Sequence, residues 1–161
     1  MTQPGSKDGR PTISLLGAGE GLVAEAFGNR IVFHIDGERS GGAMTQWVSH
    51  IPPGGGAPPH VHANEDEAFY LLSGTVSFLE VASGEWTELK PGASVYMPRG
   101  VFHSFKNNGS ESATMLVTTT PAGFERYFAR CAEVFARPGS PDMARIAEIN
   151  AEFGISFAGP G

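Results

Sequence analysis

The chain has 161 residues, 40% hydrophobic and 10% aromatic, enough to bury a sizeable core in one domain. A formal net charge of -6 without a Lys/Arg cluster excludes a nucleic-acid surface, and no apolar run is long enough to span a membrane. The single Cys131 excludes an internal disulfide, and Met1 to Pro11 is polar, so a soluble cytoplasmic protein is the expectation. With 22 glycines and 12 prolines, many short strands and tight turns are expected rather than a helical bundle.

Residues 1–12 carry no periodicity and are expected to form a flexible arm. Gly17-Ala18-Gly19-Glu20-Gly21 lacks the Lys-Ser/Thr ending of a phosphate loop and reads as a turn. Arg30 to Ile35 and Ala43 to Ser49 read as strands, the second stopped by Pro52 and Pro53, which cannot donate to a ladder. Gly54 to Pro59 reads as a stiff loop leading to His60. Residues 68–72 and 75–81 suggest a hairpin about Ser73-Gly74, and a second hairpin turns at Ser83-Gly84 into Glu85 to Leu89. Val95 to Met97, Val101 to Lys106 and Ala113 to Thr119 complete the strands, the last two joined at Asn108-Gly109. The period then changes to helical. Thr120-Pro121 is read as the start of a helix with Phe124, Phe128, Cys131 and Phe135 on one face. Ser140-Pro141 starts a second, carrying Met143, Ile146, Ile149 and Phe153 and stopped by Gly154.

The chemistry concentrates between Gly54 and Asn107. His60 and His62, one residue apart, project to one side of an extended chain, and Glu67 follows. Imidazole with carboxylate suits Zn, Fe, Mn, Co or Ni far better than Ca or Mg. Parity from Glu67 places Phe69 and Leu71 on its face, and parity from His103 places Val101 and Phe105 inward, a candidate substrate wall. His34 and His50 read as ordinary surface or core histidines, Trp47 as core or interface, Arg99 as rim or solvent, and Cys131 as a small buried hydrophobe.

Gly54, His60, His62, Glu67 and Gly74, then Gly92, Pro98, Gly100, His103 and Asn107, fall at the spacing of the two motifs of the cupin family, which this stretch resembles. The resemblance implies an all-β, double-stranded β-helix (jelly-roll) barrel over 13–120 with two C-terminal helices in 121–161 packed on it or closing one mouth. It also implies one divalent metal ion held by His60, His62, Glu67 and His103. Three imidazoles and one carboxylate leave coordination positions open, as catalytic sites do. The tail Gly154 to Pro160 is similar to that of quercetin-dioxygenase-like cupins. Together these imply a metal-dependent dioxygenase acting on a small enol or phenol, with Glu67 as ligand and general base. A non-redox isomerase, cyclase or lyase and a non-catalytic binding protein remain alternatives. Small cupins pair, so a homodimer through the apolar N-terminal strands is the expected assembly.

Overall fold

The computed structural model describes residues 13–158. The arm expected over 1–12 and the last residues of the tail lie outside them.

Alternation builds the barrel. In Thr45–Ile51 and Ala113–Thr120 every second side chain is buried, so each strand turns one face inward. Eleven strands result: β1 Leu22–Ala26, β2 Asn29–Ile35, β3 Thr45–Ile51, β4 Gly56–His62, β5 Asp66–Ser73, β6 Val76–Glu80, β7 Glu85–Leu89, β8 Ser94–Met97, β9 His103–Lys106, β10 Ala113–Thr120 and β11 Ile155–Phe157. They form two antiparallel sheets, ordered β1-β2-β3-β10-β5-β8 and β11-β4-β9-β6-β7. Ile31, Trp47, Phe69, Leu71 and Val117 from the first sheet meet Val76 and Phe78 from the second in the core. This is the double-stranded β-helix.

The connections explain where the sequence expectation departs from the fold. β5 and β6 do not form a hairpin: β5 pairs with β10 and β8, and β6 with β7 and β9. Ser73-Gly74 instead carries the chain from one sheet to the other. Gly74 has φ 76°, and a Cβ there would stand 2.7 Å from Cα of Ala113, so the crossing needs glycine twice over. Asn108-Gly109 makes the same kind of crossing between β9 and β10. The β6–β7 hairpin at Ser83-Gly84 forms as expected. Pro58 and Pro59 lie within β4 rather than in a loop; they coincide with a shift of register between Ala57 and His60 against β9, where ladder donors are not required. β9 starts at His103, leaving Val101 in the turn before it.

Helix α1 spans Phe124–Phe135 and α2 spans Met143–Glu152. Neither starts on the residues expected. Gly123 caps α1, and Asp142 caps α2 by accepting from the Arg145 amide at 3.0 Å. Glu125 fixes the first turn of α1 to the barrel, accepting from the Thr45 hydroxyl and from the amides of Gly37 (3.2 Å) and Gly123 (3.0 Å). The buried face of α1 is Phe124, Tyr127, Cys131 and Val134; Phe128 and Phe135 pack at its edges. The Tyr127 hydroxyl donates to Asn150 at 3.0 Å, joining the helices. β11 then returns to pair with β4 along His62, Val61 and His60, so the helical extension ends beside the histidines. No described helix is long and apolar enough to cross a membrane.

Candidate metal centre

His60 lies directly opposite His103 in the β4–β9 ladder, and His62 is two residues along the same face. Glu67 arrives from the other sheet, where it pairs with Thr119 and Met97. Folding the two sheets face to face therefore brings the four residues together. One ligand atom from each lies within 4.8 Å of all the others, and all four residues are buried. A Glu67 carboxylate oxygen stands 3.7 Å from His62 Nε2 and 3.4 Å from His103 Nε2.

Two of the rings are oriented by backbone. His60 Nδ1 donates to the Pro58 carbonyl at 2.8 Å, and His103 Nδ1 to the Val101 carbonyl at 3.0 Å. With the proton on Nδ1, each ring turns an Nε2 lone pair toward the cluster, as metal-bound imidazoles do. His62 is held differently. Its Nδ1 faces Glu65 at 3.7 Å, a carboxylate that is itself buried. Both His62 nitrogens, one Glu65 oxygen and His103 Nε2 are buried without a hydrogen-bond partner among the described residues. Orphaned buried donors and acceptors are rare, and here several belong to one cluster of nitrogen and oxygen donors. A divalent cation would satisfy the Nε2 atoms of His62 and His103, while His62 Nδ1 and Glu65 face each other, so the four clustered residues fit the ion.

The electrostatics of His60 and Glu67 agree, and those of His62 oppose. Burial, then the neighbouring His103 and His62 rings, pulls His60 down to about 4, leaving it neutral near pH 7. Burial alone would push the Glu67 carboxyl up, but His103, His62 and His60 stand against it and hold it below its ordinary value. Burial also opposes charge on His62, yet Glu65 and Glu67 together outweigh it and raise that ring. An ionised carboxylate and a neutral imidazole are the protonation states a metal requires.

Beside the cluster lies a cavity of about 330 Å3, in the size range of small-molecule sites. Of the expected substrate wall, Phe69 and Phe105 line it, but Leu71 and Val101 do not. Leu71 is buried in the core beyond the cavity, and Val101 instead supplies the carbonyl that orients His103. Parity assigns a face but not a depth along it. Helical residues that the sequence shows only as a stripe complete the wall: the Phe124 ring sits 4.9 Å from that of His62, and Phe157 of β11 stacks 5.6 Å from His60. Both helices thus contribute to the cavity wall. Trp47, expected as core, is buried and also lines the cavity.

Of the remaining expectations, Arg99 grips Asp66 with both fork nitrogens (3.0 and 2.9 Å), holding that carboxyl well below the usual range and pinning the start of β5. His34 and His50 stand outside the cluster, and Cys131 is fully buried. In the sequence Glu65 has no distinguishing local pattern, since Asp66 and Glu67 follow it.

The cupin-domain family model matches residues 47–119, the stretch that contributes all four clustered residues. That stretch is a cupin domain. Over 67 residues it is 40% identical to germin-like protein subfamily 2 member 2 of Arabidopsis thaliana, covering 40% of this chain and 31% of that protein. Over 103 residues it is 33% identical to germin-like protein subfamily 2 member 1 of the same plant, covering 60% and 47%. The matches thus span less than half the length of these relatives. Among solved structures, the polyketide cyclase RemF from Streptomyces resistomycificus aligns with a TM-score of 0.59 at 20% identity, over 68% of this chain and 80% of the cyclase. KdgF from Halomonas sp. aligns with a TM-score of 0.59 at 18% identity, over 71% and 99%. These identities establish the fold.

Glu65 stands beside His62 Nδ1 at 3.7 Å, on the side of the ring away from the cluster's Glu67. Glu65→Gln is expected to weaken metal binding by about 10- to 100-fold while leaving the fold intact. Competition against a chelator, with circular dichroism as the control, checks this; unchanged affinity would remove Glu65 from the site.

Proposed function

We propose that this cupin is a metal-dependent enzyme acting on a planar, largely apolar enol or phenol, and that its reaction is a quercetinase-like dioxygenation. The observation that supports this is an ionised carboxylate among three histidines at the wall of an aromatic cavity. A bound divalent ion would supply Lewis acidity toward an enolate or phenolate oxygen and, if redox-active, a path for electrons to O2. Glu67 accepts the proton of the substrate hydroxyl, leaving the oxygen anionic. Phe69, Phe105 and Phe124 hold the ring system and exclude water. Overall, one substrate and one O2 are consumed, a carbon–carbon bond breaks, and both oxygen atoms enter the products.

A second reading has its own support. Glu67 is the one carboxylate on the cavity wall among the described residues. A lone base that takes a proton and returns it suffices for an isomerase or cyclase, with no O2 consumed. Metal analysis of the protein as isolated, with O2 uptake on flavonols and β-dicarbonyls, separates the two. Fe, Mn, Ni or Co with stoichiometric O2 consumption supports the dioxygenase. Bound Zn with turnover and no O2 uptake selects the second reading, and metal without any turnover leaves a binding protein.

A further inference from the structure

The cavity is apolar except at two places, and the metal centre is only one of them. Ser49, Asn150 and Asn29 form the other. Strand register shows that they are remote from the metal centre. Thr119 pairs with both Glu67 and Thr45, placing those two residues at one level of the sheet. Ser49 lies four residues farther along β3, about 13 Å at the usual strand rise. Ser49 pairs with Ile31, and Asn29 follows two residues farther out on the same strand face. From the helical side, Phe124 separates Tyr127 from the metal centre, its ring 4.9 Å from His62 and 5.0 Å from Tyr127.

The hydrogen bonds at this remote end are incomplete in a specific way. Trp47 Nε1 donates to Ser49 Oγ at 3.0 Å, so the Ser49 hydroxyl proton is left to donate. The Tyr127 hydroxyl uses Asn150 Oδ1 at 3.0 Å, leaving the Asn150 amide nitrogen without an acceptor among the described residues. Asn29 Oδ1 is buried with no partner among them. Ser49, Asn150 and Asn29 thus line an otherwise apolar chamber with two donors and one acceptor left unpaired among the described residues. A hydroxyl answers both kinds, accepting from Ser49 or Asn150 and donating to Asn29.

We infer that the end of the cavity remote from the metal centre recognises a hydroxyl on the substrate, so the ligand is a planar polyaromatic molecule oxygenated at both ends. This rests on the reading of the cavity as a substrate site, and it assigns Ser49, Asn29 and Asn150 as specificity determinants. Leaving buried polar groups unpaired is costly, so a ligand lacking the hydroxyl binds roughly 10- to 100-fold more weakly.

The test uses metal-loaded enzyme and two flavonols, one bare on its pendant ring and one carrying a hydroxyl there, with dissociation constants measured by calorimetry. The wild type should prefer the hydroxylated flavonol roughly 10- to 100-fold. Ser49→Ala and Asn29→Leu should each erode that ratio without abolishing binding of the bare flavonol. Because the readout is a ratio within each variant, a general loss of stability cancels, and the two variants lie on different strands should one fail to fold. Equal binding of the two flavonols to wild type, or a preference that survives both substitutions, overturns the inference while leaving the cavity a substrate site. If neither flavonol binds, the proposed substrate class falls and takes this inference with it.

Discussion

Glu67→Gln lowers kcat by about 10²- to 10⁴-fold at saturating metal, the range expected for loss of a positioned general base, while the protein retains its ion. Gln keeps the shape of the side chain and an oxygen to place between His62 and His103, now 3.7 and 3.4 Å from the carboxylate. What it loses is the charge and the capacity to take a proton. The three imidazoles remain, two of them oriented by backbone carbonyls that the substitution does not touch. His60→Ala is the contrast: it removes a ligand, so metal content and activity fall together. The pH profile adds a second readout. Because its neighbours hold Glu67 below the ordinary 4.5, the base is ionised throughout the neutral range, and at saturating metal its own protonation lowers activity only as pH drops below that value. That acid limb disappears in the variant. Full activity in Glu67→Gln would refute the base role, and loss of the ion at saturating metal would make Glu67 chiefly a ligand.

Local pattern revealed the parts of this fold whose cause is local. The alternation in Thr45–Ile51 and Ala113–Thr120 follows from one face being buried, and the resemblance to the two cupin motifs implies His60, His62, Glu67 and His103 as one set, which the fold clusters. Where two paths share one local signal, the sequence was ambiguous. A glycine turn between apolar runs looks the same whether the strands pair or pass to opposite sheets, and Gly74 takes the second course because Ala113 packs against it. Pro58 and Pro59 resemble a loop until β9 is seen to shift register beside them. Leu22–Ala26 carries no strand signal of its own; only pairing with β2 defines it. The remote polar end of the cavity was illegible for the same reason: Asn29, Ser49 and Asn150 come from two strands and a helix, and only the closed barrel places them on one wall.

Phe124 is where the helical extension and the site become one structure, and Phe124→Ala is expected to cost about 3–5 kcal/mol, the usual penalty for a buried phenylalanine. It is the first residue of α1, buried, and held in place by the bonds of Glu125 to Thr45, Gly37 and Gly123. Its ring touches four others: His62 at 4.9 Å, Tyr127 at 5.0 Å, Phe128 at 5.2 Å and Trp47 at 5.5 Å. Truncation removes contacts from the barrel and the helix at once, and the void it leaves joins a cavity already present, so neighbouring side chains have little reason to collapse into it. For a chain of this size the loss corresponds to a drop in Tm of roughly 6–20 °C. Kinetics then separates the two roles of the ring. Phe124 holds the substrate but takes no proton, so KM should rise more than kcat falls, the opposite of the pattern expected at Glu67. Thermal unfolding with steady-state rates on the same variant measures both. A Tm within 2 °C of wild type with KM unchanged would show that the helices are an appendage to the barrel rather than a wall of its cavity, and a kcat effect as large as that of Glu67→Gln would overturn the division of roles.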